Sequence, residues 1–484
     1  MGKQHNKLDE GALAFATIPE LNAALRNREI SVSELTKFFG RRLETIGPEY
    51  NALACSLLKR DKNDPKDIDD EFKRERFRGP LQGIPYAVKD LIAVANFPTT
   101  WGAKPYANQV FEEDATVVNR LDSAKAILIG KLSMVELAGG GGYSSASASL
   151  QGPGLNPWNK QYWSGGSSSG SGAAVAAGLV PYALGSETSG SILTPACFCG
   201  VTGLRPTYGL VSRHGAMALS WTLDKVGVLA HTAEDCGLVL RVIAGSDSND
   251  PGNAGKSFYY TPDWYQKITE FKAGFAEIDF ADWINEPLRP AFANALSVVK
   301  SMGPQMVETR LPDFPYGPII SAIIGSEAAS IFEVLIRSGQ VDALADQSQI
   351  AGLKASMNYS AVDYLKAMRV RSQVQDAFRK VFADLDLLLA PTRFNLPDRS
   401  DQPFDEAPRK HPDQRGVGSG LVQASNLCGL PALTIPCGFV NGLPIGLQIV
   451  GPPFTENRLI AFAREFQKRT DFHKQHPPMP TIGA

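Results

Sequence analysis

Apolar positions recur along this chain with two periods, and the periods alternate. After Ser31-Val32-Ser33-Glu34, which has the form of a capping box, Leu35, Phe38, Phe39, Leu43 and Ile46 follow at helical spacing. Residues 17–47 are therefore expected to form two helices. Ile84 to Val88 is a short apolar run that reads as a buried strand with Lys89 at its end. Thr116 to Ala124 predicts a helix and Ala126 to Ile129 a buried strand. Ala173 to Ala177 predicts a packed helix, and Pro181 to Leu184 a strand. Farther on, Leu385 to Ala390 and Pro444 to Val450 read as strands and Glu456 to Arg469 as a closing helix. Interleaving of this kind predicts an α/β fold whose sheet is largely covered. Residues 250–265 and 394–416 are polar and proline-rich and read as surface loops. No internal repeat or linker interrupts the chain, so one large domain is expected.

Composition narrows the picture. The chain has 484 residues, 43% hydrophobic and 20% charged, with a formal charge of −2. These are the proportions of a soluble globular protein, and they give no basic surface to favour nucleic acid. Six cysteines, Cys55, Cys197, Cys199, Cys236, Cys428 and Cys437, are too sparse for a secreted disulfide framework. Cys197 and Cys199 are spaced too closely for a redox or zinc half-site, and the six are read as buried thiols. The start of the chain has no apolar core of signal-peptide type, and no run approaches the ~18 apolar residues of a membrane span. A cytoplasmic location is the expectation.

Residues 139–172 are rich in glycine and serine, a composition that suits a flexible linker. They run directly into Ala173-Ala174-Val175-Ala176-Ala177, too apolar for a free tether, so a turn feeding a helix N-terminus is the better description. A phosphate-binding loop fails because no lysine follows the glycines and Gly130-Lys131 is followed by Leu132. Gly166-Ser167-Ser168-Ser169-Gly170 matches a nucleophile elbow centred on Ser168. That motif needs a buried strand before it, and Asn156 to Trp163 does not read as one.

Two serines stand in separate glycine-rich turns. Ser167 lies in Gly165-Gly166-Ser167-Ser168-Ser169-Gly170-Ser171, and Ser191 in Gly185-Ser186-Glu187-Thr188-Ser189-Gly190-Ser191. With Lys89, in Gly83-Ile84-Pro85-Tyr86-Ala87-Val88-Lys89-Asp90, they could supply a nucleophile, a proton shuttle and a base for breaking amide-type bonds without a metal or an organic cofactor. A lysine can act as a base near neutral pH only if burial destabilises its ammonium by about 4–5 kcal/mol. The end of an apolar strand is a place for such burial. Asp90 opposes the shift unless it faces away, as alternation along a strand predicts.

The run from Ser164 to Gly215 resembles the amidase signature family. The segment around Lys89, Ser220 to Gly227 with Thr232 to Asp235, Asn426 to Ala432 and Gly442 to Gly451 match further blocks of that family in order. The resemblance implies a single α/β domain built on a large mixed, twisted sheet with helices on both faces. It places a signature core at about 80–245 and a variable, substrate-shaping region at about 250–416. It also implies Ser191 as nucleophile, Ser167 as bridging serine on a cis peptide bond, and Lys89 as base. Backbone amides of Thr188, Ser189, Gly190 and Ser191 would form the oxyanion hole, with no cofactor and no metal.

Two departures stand out. Ser189 occupies a position where relatives often carry glycine, and Leu193 one where many carry arginine. Leucine cannot pair with a carboxylate, which points to an apolar or aromatic substrate and a self-sufficient hydrolase. The expected activity is that of an amidase acting on linear amides, with aryl amides, carbamates and esters also suited to the chemistry. Tyr143, Leu193 and Trp221 are candidate pocket residues, with Pro195 and Phe198 beside them. The expected partners are a small-molecule amide, carbamate or ester and no nucleic acid, and a homodimer is left open. The alternative is a glutaminase-type A subunit of a tRNA-dependent amidotransferase, which the chain also resembles.

Overall fold

The computed structural model describes residues 9–262, 266–404 and 418–479. Its strands in chain order are β1 (Leu53–Ser56), β2 (Pro85–Lys89), β3 (Ile127–Leu132), β4 (Leu155–Asn156), β5 (Asn159–Trp163), β6 (Tyr182–Glu187), β7 (Thr202–Arg205), β8 (Lys225–Ala230), β9 (Lys272–Phe275), β10 (Gln305–Glu308), β11 (Leu387–Pro391), β12 (Ala432–Val440) and β13 (Leu443–Val450). Among the described residues 11 strands form one mixed sheet, in the order β1-β3-β2-β6-β8-β7-β12-β13-β11-β9-β10. The pairs β3/β2, β2/β6, β11/β9 and β9/β10 are parallel, and the remaining pairs antiparallel.

Strands β2, β3, β6, β7, β8 and β11 are buried along their whole length, which is why they read as continuous apolar runs. The half-buried β1 and the part-exposed β10 close the two edges. Strands β12 and β13 are joined by Asn441-Gly442, both with positive φ, the two-residue turn that matches strand twist. Helices flank the sheet. Val32–Ile46 buries Val32, Leu35, Phe39, Leu43 and Ile46, and its capping box is formed between Ser31 and Glu34.

Two details differ from expectation. The helix after the serine turn starts at Ser169, ahead of the alanine run, and all eight of its residues are buried. Small residues are needed there because the backbone comes very close: a Cβ on Gly170 would stand 2.6 Å from the Ser133 nitrogen. The second detail is β5, which does precede the serine turn. It pairs with β4 in a separate two-stranded ribbon, and its first three residues are exposed, so it is not the buried strand that an elbow requires. The proline-rich stretches fall partly outside the described residues, at 263–265 and 405–417.

Candidate active site

Parallel pairing of β2 with β6, through Ala87↔Ala183 and Val88↔Leu184, brings the carboxyl ends of two central strands side by side. One end delivers Lys89, and the other delivers Ser186, Glu187 and the turn to Ser191. Crevices at such strand ends are where open α/β sheets bind ligands. The third part is the turn at Ser167, at the entrance to the helix Ser169–Ala176. Its Gly166–Ser167 peptide bond is cis. Gly165 has positive φ and lies so close to Pro195 that a Cβ would stand 2.7 Å from the Pro195 Cα. Ser168 ties the two turns together: its N–H donates to the Ser191 carbonyl at 3.3 Å and its Oγ donates to the Ser186 carbonyl at 3.2 Å.

Lys89 has no exposed surface. Its Nζ donates to Ser167 Oγ at 2.7 Å and to Ser186 Oγ at 3.0 Å. Burial lowers its pKa to about 7, against the pull of the Asp224 and Glu187 carboxylates. Asp90 faces away, as strand alternation predicts, and its carboxylate pairs with buried Lys131 at 2.9 Å. Lys89 and Ser167 are thus joined directly by a hydrogen bond. Among the described residues no hydrogen bond joins Ser191 Oγ to Ser167 Oγ, so the second link is open in this structure.

The turn after β6 is held from behind. Glu187 is fully buried, and its Oε2 accepts the N–H groups of Ile192 and Leu193 at 2.9 and 3.1 Å. Its Oε1 accepts from Arg205 at 2.7 Å and from Asn426 at 2.9 Å. Burial pushes this carboxyl up, yet Arg205 and its other partners outweigh burial and hold it at about 2. With residues 192 and 193 occupied, the N–H groups of Thr188, Ser189, Gly190 and Ser191 donate to no acceptor among the described residues. Unpaired amides gathered in one turn are the kind of group that holds an anion. The positive φ falls on Gly190, at 89°, and not on Ser189, so serine is unstrained where relatives often have glycine. Thr188 is anchored through its Oγ1, which donates to Asp224 at 2.5 Å.

A cavity of about 280 Å³ opens beside this turn. Ser186, Thr188, Asp224 and Lys225 line its inner end, and Leu91, Met217, Leu219 and Trp221 supply apolar wall. Burial, and then Arg205, push the Lys225 amine well below its usual range. Arg213, at the outer end, is neutralised by Asp250 through contacts of 3.0 and 2.6 Å.

The candidate pocket residues separate. Trp221 lines the cavity and is 40% exposed. Tyr143 lies beside the Ser167 turn, where a Cβ on Gly166 would stand 3.1 Å from its hydroxyl, and packs edge-on against Trp163 and Phe404. Leu193 is fully buried in an apolar cluster with Leu223, Leu421 and Leu427, and, like Lys89, Ser167 and Ser191, it is not among the residues lining the cavity. Its backbone N–H serves Glu187, and its apolar side chain suits that core. Phe198 packs with Trp163 beneath the Arg393 guanidinium. Ser186, in the same glycine-rich turn as Ser191, is a direct partner of the Lys89 amine. Glu187 and Arg205 were not singled out, although a charge at the end of each of two fully buried strands was a usable signal.

The family model described as Amidase matches residues 34–460. The chain belongs to the amidase signature family. The A subunit of glutamyl-tRNA(Gln) amidotransferase from Carboxydothermus hydrogenoformans is 34% identical over 498 residues, covering 96% of this chain and 100% of that protein. A solved structure from a vestigial complex tied to the origins of an s-triazine catabolic enzyme superposes with TM-score 0.85 at 28% identity, covering 94% of this chain and 98% of that one. The peptide amidase of Stenotrophomonas maltophilia superposes with TM-score 0.77 at 26% identity, covering 97% and 99%. These relatives correct one expectation. A small-molecule substrate with no nucleic acid conflicts with near-full-length relatives whose name includes a tRNA. Among the described residues no helix is long and apolar enough to cross a membrane.

Proposed function

We propose that this member of the family opens carbon–nitrogen bonds of amides, and related carbamates and esters, through an acyl-enzyme on Ser191. The observation that carries the reading is a buried Lys89, its pKa lowered by burial to about 7, hydrogen-bonded to Ser167 beside a turn with four free amides. Ser191 Oγ turns toward Ser167 and attacks the substrate carbonyl carbon. Its proton passes to Ser167 as the Ser167 proton passes to Lys89. The carbonyl oxygen, now an anion, is held by amides of residues 188–191, and loss of one such donor typically costs about 10²–10³ in rate. The carbon–nitrogen bond then breaks, and the leaving amine takes the proton back through Ser167. Water releases the acyl group by the same relay in reverse. The cavity beside the turn reaches it through Ser186 and Thr188, and its apolar wall at Leu91, Met217, Leu219 and Trp221 supports a substrate with an apolar or aromatic part.

A second reading rests on the relatives. At 34% identity over their full length they support a glutaminase-type A subunit that supplies ammonia to a tRNA-dependent amidotransferase. Intact-mass detection of an acyl adduct at Ser191, across a panel of anilides, carbamates, esters and glutamine, separates the readings. The first expects adducts and turnover with the apolar acyl donors by the isolated chain. Turnover of glutamine alone, rising when partner subunits are added, favours the second. Absence of any adduct at Ser191 overturns both.

The lysine also sets the pH dependence. Protonation removes the base, so kcat/KM is expected to fall with decreasing pH through about 7 and to level off above it. A flat profile from pH 5 to 9 would contradict the assignment of Lys89.

A further inference from the structure

Resting on the amidase reading, we propose that an open groove on the far side of Trp221 is a second subsite that takes an uncharged or cationic aromatic arm, the end of the substrate remote from the scissile bond. The groove has a volume of about 360 Å³, and Trp221 lines both it and the cavity at the catalytic turn. The Trp221 backbone is fixed, since its carbonyl accepts from Tyr208 Oη at 2.7 Å and from the Arg213 guanidinium. Its ring stays exposed between the two spaces. Met357, Tyr359 and Tyr364 continue the surface beyond it. Exposed Val334, Val362 and Leu365 lie on the adjoining helices, Val334 at 80% exposure. The groove thus offers apolar and aromatic surface at Trp221, Met357, Tyr359 and Tyr364, the kind of lining that binding sites use.

Charge narrows the ligand. Glu327 and Glu333 line the groove, and among the described residues no lysine, arginine or histidine does. The exposed pair of Glu333 with Arg337 is weak. Anionic arms are disfavoured there, while aromatic faces attract rings and cations.

The groove is also built onto the catalytic turn. Thr188 donates to Asp224; Asp224 Oδ2 accepts the N–H groups of Leu219 and Ser220 at 2.8 and 2.9 Å. Ser220 Oγ donates to Glu327 at 2.5 Å, and Tyr364 Oη donates to Glu327 at 2.8 Å. One hydrogen-bonded path thus fixes the groove wall relative to the oxyanion amides, so that binding in the groove can be expressed as orientation at the reacting carbon.

The test compares acetanilide with two extended amides, one carrying a phenyl ring at the end of a six-carbon acyl chain and one carrying a second ring on the aniline. At least one extended amide is expected to exceed acetanilide in kcat/KM by about tenfold or more. Tyr359→Ala should cut that ratio several-fold. A carboxylate on the terminal ring should remove the advantage, and Glu333→Gln should restore part of it. No gain on extension, or equal effects of Tyr359→Ala on long and short substrates, overturns the subsite. If acetanilide and both extended amides go unhydrolysed, the amidase reading fails for them. Titration calorimetry of the extended amides with Ser191→Ala then decides the groove separately: weaker binding after adding Tyr359→Ala supports it, and no binding or an unchanged Kd overturns it.

Discussion

Lys89→Met is expected to lower kcat/KM on the order of 10³–10⁴-fold while leaving the fold intact. Methionine has nearly the length of lysine and no basic atom, so it fills the fully buried site but cannot accept the Ser167 proton. Labelling of Ser191 by a fluorophosphonate should slow in parallel, and Ser191→Ala should abolish it. Stability is expected to move the other way. Lys89 has a folded pKa of about 7 against about 10.4 in the unfolded chain. Between these values the unfolded state binds more protons, so the wild-type stability contribution of this group rises with pH through that window. Below it, the buried site destabilises the protein by up to about 4–5 kcal/mol, less whatever water and relaxation return. Lys89→Met escapes that penalty but leaves Ser167 and Ser186 Oγ short of a partner, about 1–3 kcal/mol each. The variant should therefore gain most relative to wild type near pH 6, and the gain should shrink toward pH 10, as read from urea midpoints across that range. Retained activity in Lys89→Met, with normal near-ultraviolet dichroism, would remove Lys89 from the mechanism.

The parts of this site that could be read from the sequence share a physical property. Lys89 and Ser191 lie at or just past the ends of strands whose apolar runs are unmistakable, and Ser167 stands in a turn whose glycines are demanded by close backbone approach. Short-range pattern carries that information. Ser186 as a second holder of Lys89 was not legible, because it depends on the β2/β6 pairing, between segments almost a hundred residues apart. Leu193 drew attention because many relatives carry arginine at that position; the structure places its side chain in the core, on the buried helix Leu193–Cys199. The Ser189 question was one of backbone conformation, which resolves in favour of serine because Gly190 alone in that turn takes the positive φ. The cavity and the groove were beyond reach for a different reason. Trp221 was a visible candidate, whereas the helices Tyr316–Ile331 and Ala361–Asp384 come from later in the chain, and Glu327 on the first of them binds Trp221's neighbours Ser220 and Thr222 and Tyr364 of the second.

Arg205→Met is expected to destabilise the protein by about 3–5 kcal/mol and to impair catalysis although Arg205 touches no reacting atom. The guanidinium and Glu187 are both without exposed side-chain surface and meet at 2.7 Å. Arg205 also donates to the Leu430 carbonyl at 2.9 and 3.2 Å, so its loss strips a buried acceptor as well. The larger effect falls on Glu187. With Arg205 present, its carboxylate persists down to about pH 2 and orients the N–H groups of Ile192 and Leu193 away from the turn. That contribution is fully present above the unfolded value near 4.3 and is lost as pH falls through about 2. Without Arg205 the buried charge is left to Asn426 and two amides, its pKa rises, and acid unfolding should begin at higher pH. The turn from Thr188 to Ser191 then loses its fixed backing, and its amides become less well ordered for an oxyanion. A cycle isolates the coupling: in Arg205→Met combined with Glu187→Gln, the second change removes the stranded charge while leaving an oxygen for the two amides. The double variant should be more stable than Arg205→Met alone in urea titrations and should regain part of kcat, with KM moving less than kcat. A single variant that unfolds within about 1 kcal/mol of wild type, or a double variant worse than either single one, would show that the turn keeps its shape without this buried pair.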